Sequence, residues 1–194
     1  MTRRGRTGAP PPSARQRAAD AHRLANDLAG DLLAGVKCYD LLVTDLGINQ
    51  RLTTTEHTGA LRLCIFHLAV SLAKYHEFYR HYAAVLPADV RGLCRAIDTE
   101  VRARRALDFR NTIAGHVWDR RTRRPIPTAD VMDRLSDLCR GNVNDFLEWV
   151  GRSEADGFPG TVVSVLAHTR TRIWEEHQLT HSDMRDHQAQ FPRV

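Results

Sequence analysis

Lysine is nearly absent from this chain: Lys37 and Lys74 are the only two, so almost all of the positive charge is arginine. The excess of basic over acidic residues gives a net charge of +5. A basic surface suits an anionic partner, and the planar guanidinium fork suits phosphate, although such a skew also follows from genomic base composition. Cysteine is sparse and unpaired in spacing. Cys38, Cys64, Cys94 and Cys139 form no C-x-x-C pair and fall in or beside apolar stripes, which reads as four reduced core residues rather than a metal or redox motif. No apolar run approaches the roughly 20 residues of a membrane helix, and no apolar segment follows the basic N-terminus as in a secretory signal. The expectation is a soluble, cytoplasmic protein without a membrane partner.

Several catalytic patterns are missing as well. No G-x-x-x-x-G-K-[ST], G-x-G-x-x-G or G-x-S-x-G occurs, which removes phosphate-cradling loops and the nucleophile elbow. The stretch HEFYRH, His76 to His81, begins like a zinc-protease motif but spaces its histidines by five, about 140° apart on a helix. His177 and His181 have the four-residue spacing but no third ligand. No metal and no cofactor is implied.

What is present is helical periodicity. Residues 1–17 are arginine- and proline-rich with little to bury, and read as a disordered basic tail. From Ala18 to Thr44, Leu24, Leu28, Leu32, Val36, Tyr39 and Leu42 recur every three or four positions. Thr53 and Glu56 form a capping box for a second helix. Its stripe of Leu61, Cys64, Ile65, Leu68, Leu72, Tyr75, Tyr79, Tyr82 and Leu86 runs to Pro87. The three tyrosines read as core or interface residues.

A third helix opens near Asp89 with Val90, Cys94, Ile97 and Val101, then resumes out of step at Ala106, Phe109, Ile113 and Val117, which predicts a kink across Arg102–Arg105. After the charged segment Asp119 to Pro127, Thr128 reads as the cap of a fourth helix through Val131, Leu135, Leu138, Cys139, Phe146 and Val150, with an interruption at Gly141 and Asn142. Thr161 to His177 reads as a fifth, weaker helix, and the chain from Leu179 as a frayed end. The expected architecture is all-α: four to five long helices in a single domain, 18–178, with tails at 1–17 and 179–194.

At the end of the third helix, running on into the charged segment, lies DFRNTIAGHVWDRR, Asp108 to Arg121. With Ile113 at the centre of the apolar stripe, Arg110 and His116 fall about 60° out on opposite edges. Along one straight helix they stand about 9 Å apart in rise and about 120° apart in azimuth, a stretched pair that a second copy across a two-fold axis can complete. The residue types suit RNA cleavage. Histidine moves a proton near neutral pH, arginine holds a phosphate and its transition-state charge, and Asn111 supplies a donor and an acceptor for orientation. The nucleophile is the ribose 2′-hydroxyl, so no metal is needed and DNA resists. Arginine–histidine spacings of this kind recur by accident elsewhere in the chain. Only Arg110 also has an amide directly after it within the third helix.

On these residues the chain resembles the HEPN superfamily. RNTIAGH looks like its arginine, polar, histidine motif, and the wider text from LAKYHEFYRHY through LPADVRG to DFRNTIAGHVWD is similar to abortive-infection and toxin-type members, over about Thr53 to Val150. The resemblance implies a HEPN-like helical bundle that dimerises, with two facing motifs forming a metal-independent endoribonuclease. Arg110, Asn111 and His116 take the family's catalytic positions. Arg120, Arg121, Arg123 and Arg124 are candidates for guiding an RNA backbone, and Asp108 and Asp119 for supporting His116 or Arg110. Expected partners are an RNA substrate, a second copy and an antitoxin protein. The alternative is a non-catalytic helical module that binds RNA or a partner protein.

Overall fold

The computed structural model describes residues 12–46, 49, 51–114, 118–119, 123–151 and 158–188, without the side chains of 113–114, 118–119 and 185–188. Its helices are α1 (Ala14–Tyr39), α2 (Thr54–Tyr82), α3 (Ala88–Ala103), α4 (Ala106–Phe109), α5 (Thr128–Cys139), α6 (Val143–Val150), α7 (Val162–Glu176) and α8 (His181–Gln188). α1 runs on into a π-helical turn, Asp40–Asp45, and α2 into a 3-10 turn, Ala83–Val85, so each spans 32 residues. Among the described residues the protein is all-α apart from one ladder of two residues a side, β1 (Trp118–Asp119) with β2 (Arg124–Pro125), antiparallel. The ladder takes Trp118, next to the expected third-helix stripe, together with Asp119, Arg124 and Pro125 of the charged segment that follows.

α1 is the axis of the fold. Its broadest contacts are with α2 and α7, and its buried face carries Ala18, Ala21, Ala25, Leu28, Leu32 and Val36. The alanines keep this face narrow and let α7 approach. α1 and α2 run antiparallel: Arg17 Nη2 donates to the His81 carbonyl at 2.9 Å, Lys74 Nζ meets Asp31 Oδ2 at 3.0 Å, and His57 Nε2 lies 3.2 Å from the Val43 carbonyl. At their crossing any larger residue than glycine would force Leu68 and His67 to shift. A Cβ on Gly35 would stand 2.6 Å from Leu68 Cδ2 and 2.8 Å from His67 Cδ2.

The predicted stripes are the core. Leu28, Leu32, Val36 and Tyr39 of α1 are buried, as are Cys64, Ile65, Leu68, Leu72 and Tyr75 of α2 and Val90, Cys94, Ile97 and Val101 of α3. The Thr53–Glu56 capping box is present, with Thr53 N donating to Glu56 Oε2 at 2.8 Å. The Tyr75 hydroxyl donates to the Cys94 carbonyl at 3.0 Å, so a fully buried tyrosine keeps its polar end satisfied.

Where the sequence suggests four or five helices, eight form among the described residues: left-handed residues divide two of the longer patterns, and α8 forms in the stretch expected to fray. Arg105, at φ 57°, separates α3 from α4 at the predicted kink, and Arg140 at φ 52° with Gly141 at φ 76° separates α5 from α6. Asn142 then caps α6 through the Asn144 and Asp145 amides.

Other expectations shift. α1 begins at Ala14 behind a Ser13–Gln16 capping box, so part of the expected 1–17 tail is helical. Pro127 stands where Thr128 was expected to cap α5. Cys38 is exposed, because it lies off the α1 stripe that buries Val36 and Tyr39, while the other three cysteines are buried. The Thr161–His177 stretch is a helix on the long side of α1. Beyond it the chain does not simply fray, since Leu179 is buried and Arg15 grips Asp183 of α8 through Nε and Nη2, both at 2.9 Å.

Candidate functional site

The motif begins at a turn fixed by a buried arginine. Arg104 is 7% exposed, and its charge is held by Glu100 Oε1 at 2.8 Å, by the Leu138 carbonyl at 2.9 Å and by the rings of Trp149 and Phe146, 4.5 and 5.6 Å from the guanidinium carbon. Burial lowers its pKa and Glu100 opposes that shift, as a paired interior cation requires. Arg105 follows in the left-handed region, and its side chain bridges Asp108 at 3.3 Å and Asp137 of α5 at 3.2 Å. Phe109 is buried, edge-on against Phe66 of α2 with ring centroids 5.0 Å apart. Three contacts therefore fix the approach to Arg110.

From Arg110 to Ala114 the backbone is π-helical rather than α-helical. The straight-helix geometry used to separate Arg110 from His116 does not apply over this turn. A π turn inserts a residue into the helical register, and such turns recur where a side chain must be re-aimed. Arg110 is 29% exposed. Its Nη1 donates to Glu77 Oε1 of α2 at 2.6 Å and its Nε to Asn111 Oδ1 at 3.1 Å. On the other side of the turn, the Thr112 hydroxyl donates to the Asp108 carbonyl at 2.5 Å and accepts from Arg134 Nη1 of α5 at 3.0 Å.

The structure thus joins Arg110 and Asn111 directly. His116, Arg120 and Arg121 lie outside the described residues. Arg123 and Arg124 are exposed on the hairpin, Arg123 at φ 53° and Arg124 paired through its backbone with Asp119. Asp108 does not pair with Arg110: the left-handed turn places Arg105 three residues before it, and Arg105 takes its carboxylate. Nothing is described of the Asp119 side chain. The partner that Arg110 does take, Glu77, is 33 residues away in sequence, and Thr112 and Arg134 are equally invisible to local spacing. Only the tertiary approach of α2 and α5 reveals them.

Two of the histidines discounted as metal ligands have other partners. His76 Nδ1 stands 2.6 Å from buried Asp98, which also receives Arg102 at 3.2 Å, and His177 Nε2 lies 2.9 Å from the Val85 carbonyl. Among the described residues no three His, Cys, Asp or Glu side chains are grouped to hold a metal ion, and no helix is long and apolar enough to cross a membrane. An open groove of about 610 Å³ runs between α1 and α2 beside Glu77, lined by Leu24, Leu28 and Phe78 and by the charged Asp27, Asp31 and Lys74 among others.

No family model and no curated protein matches the chain. Among solved structures the fold is similar to integron cassette protein Vpc_cass2 from the mobile metagenome of V. paracholerae. The TM-score is 0.62 at 19% identity, over 80% of this chain and 95% of that one, so the likeness is one of all-α fold.

Proposed function

We infer that this chain is a metal-independent endoribonuclease of the HEPN type, with a composite active site formed by two copies of the 110–116 stretch in a homodimer. The observation that carries the reading is the Arg110–Asn111 pair at the head of a π-helical turn: a partly exposed guanidinium with its Nε fixed by the amide beside it. Arg110 has five N–H groups, of which Glu77 and Asn111 take one each, and the remainder are available to a phosphate. His116 enters from the sequence alone. In the proposed reaction the 2′-hydroxyl attacks its own 3′-phosphate, one histidine accepts the hydroxyl proton, and the partner's histidine returns a proton to the leaving 5′-oxygen. The product is a 2′,3′-cyclic phosphate. Arg110 offsets the added negative charge, and Asn111 keeps its amide N–H groups for a phosphate oxygen or water.

Two long antiparallel helices with shorter ones around them support a HEPN-like bundle. A dimer face beside the motif is supported by Leu63 and Leu41, 66% and 55% exposed, at the end of the α1–α2 pair where His57 meets Val43. Leu63 lies one turn before Phe66, the ring that seats Phe109. A toxin or phage-defence role with a restraining antitoxin follows from the same reading.

The test is growth on expression of wild type, Arg110→Ala and His116→Ala, together with incubation of each purified protein with mixed RNA in EDTA. Toxicity and cleavage by wild type alone are expected. Three equally harmless proteins that leave RNA intact would overturn the nuclease, and RNA that is bound but never cut would make this a binding module instead.

A further inference from the structure

The contact that the proposed catalysis does not use is the one between Arg110 and Glu77. An anionic oxygen sits 2.6 Å from the guanidinium nitrogen of the residue assigned to hold an anionic phosphate. Three features make this carboxylate displaceable. Its side chain is 52% exposed, so leaving Arg110 strips no buried charge of its partner. Lys74, which pairs with Asp31 through one of its three N–H groups, and His81 stand three residues before and four after it on α2, both lining the same groove, so a released Glu77 has donor neighbours within side-chain reach. The contact is also single, one oxygen to one nitrogen, whereas a phosphate can engage two N–H groups at once.

We propose that Glu77 is a built-in competitor for the RNA phosphate, a carboxylate that occupies Arg110 in the free protein and sets the affinity of the site by having to be displaced. This rests on the reading of Arg110 as the phosphate-holding residue. It does not rest on cleavage, since a binding module using Arg110 would be governed in the same way. An isolated mononucleotide phosphate offers little to offset the displacement. The displacement costs every phosphate ligand the same, so it weakens a lone phosphate below useful affinity while a phosphodiester chain, which can add further phosphate contacts, still binds.

The experiment measures binding of a 2′-O-methylated RNA 20-mer, which resists 2′-hydroxyl cleavage, by fluorescence anisotropy at fixed salt. It compares wild type, Glu77→Gln, Arg110→Ala, the double variant and Asp27→Asn. The last removes a carboxylate from the same groove without touching Arg110. Glu77→Gln is expected to bind about two- to fivefold more tightly than wild type, the weight of one exposed ion pair. Asp27→Asn is expected to change little, and the Glu77→Gln gain to vanish in the Arg110→Ala background. Weaker or unchanged binding by Glu77→Gln, an equal gain from Asp27→Asn, or a gain that persists without Arg110 would each overturn the competitor role while leaving the functional reading intact. Equal binding by wild type and Arg110→Ala would remove Arg110 from the RNA site, and both proposals with it.

Discussion

Arg104 carries the heaviest single prediction. Replacing it with alanine removes a guanidinium that is 7% exposed and in contact with four groups: Glu100, the Leu138 carbonyl, Trp149 and Phe146. The Leu138 carbonyl belongs to the last turn of α5, where no intrahelical donor reaches it, so losing Arg104 leaves a buried acceptor unmade at about 1–3 kcal/mol. The two ring contacts add about 0.5–2 kcal/mol. Glu100 is not orphaned, because Arg140 still reaches its other oxygen at 2.9 Å, which keeps the total near the low end of the roughly 3–5 kcal/mol seen when a buried pair is broken. A loss of about 3 kcal/mol is a large part of the roughly 5–15 kcal/mol that holds a domain together. Urea unfolding followed by tryptophan fluorescence reads it directly, with Trp149 reporting the local change. Arg104→Met should recover part of the loss by refilling the space against the rings, but not the carbonyl. An Arg104→Ala protein within about 1 kcal/mol of wild type would refute the reasoning and leave the α3–α4 turn fixed by packing alone.

Two further outcomes follow from the surface and from the C-terminal helix. Wild type is expected to run as the proposed dimer in light scattering and Leu63→Glu as a monomer with a thermal transition near that of wild type, since the side chain is 66% exposed; a wild-type monomer would remove the dimer, and a dimer that survives Leu63→Glu would place its interface elsewhere. The Arg15 and Thr180 contacts hold the Asp183 carboxyl well below the usual carboxylate range. A depressed folded pKa means that the tie between α8 and α1 is complete above about pH 4 and is lost as pH falls through the lower folded value. Protection factors over His181–Gln188, each exchange rate taken against the intrinsic amide rate at the same pH, should fall in acid accordingly, and Asp183→Asn should show low protection already at pH 7; protection that stays constant from pH 7 to pH 2 would contradict this.

Much of the architecture was legible because burial follows period. Residues such as Leu32, Leu68, Leu72 and Val101 recur at helical spacing, and every one of them lies in the core. Breaks between helices were harder to read. The step out of phase before Ala106 marked one, and Gly141 with Asn142 another, because each disturbs either the period or the backbone preference. Neither shows in advance that an arginine would take the left-handed conformation at 105 or 140. The basic start and polar end looked unable to bury anything, yet Ser13 caps α1 and Arg15 reaches 168 residues along the chain to Asp183, a pairing with no local signal.

For the site the division is sharper. Local sequence singled out Arg110 and Asn111 by type and position, and it placed Phe109 on a buried stripe because apolar period alone requires that; the Arg110–Asn111 hydrogen bond belongs to the π-helical turn. Tertiary structure decided what surrounds them. Glu77 reaches Arg110 and Arg134 reaches Thr112 only because α2 and α5 pack against the turn. A guanidinium takes whichever acceptor the fold delivers to it. Charge partners are chosen by distance in space, to which spacing along the chain is blind.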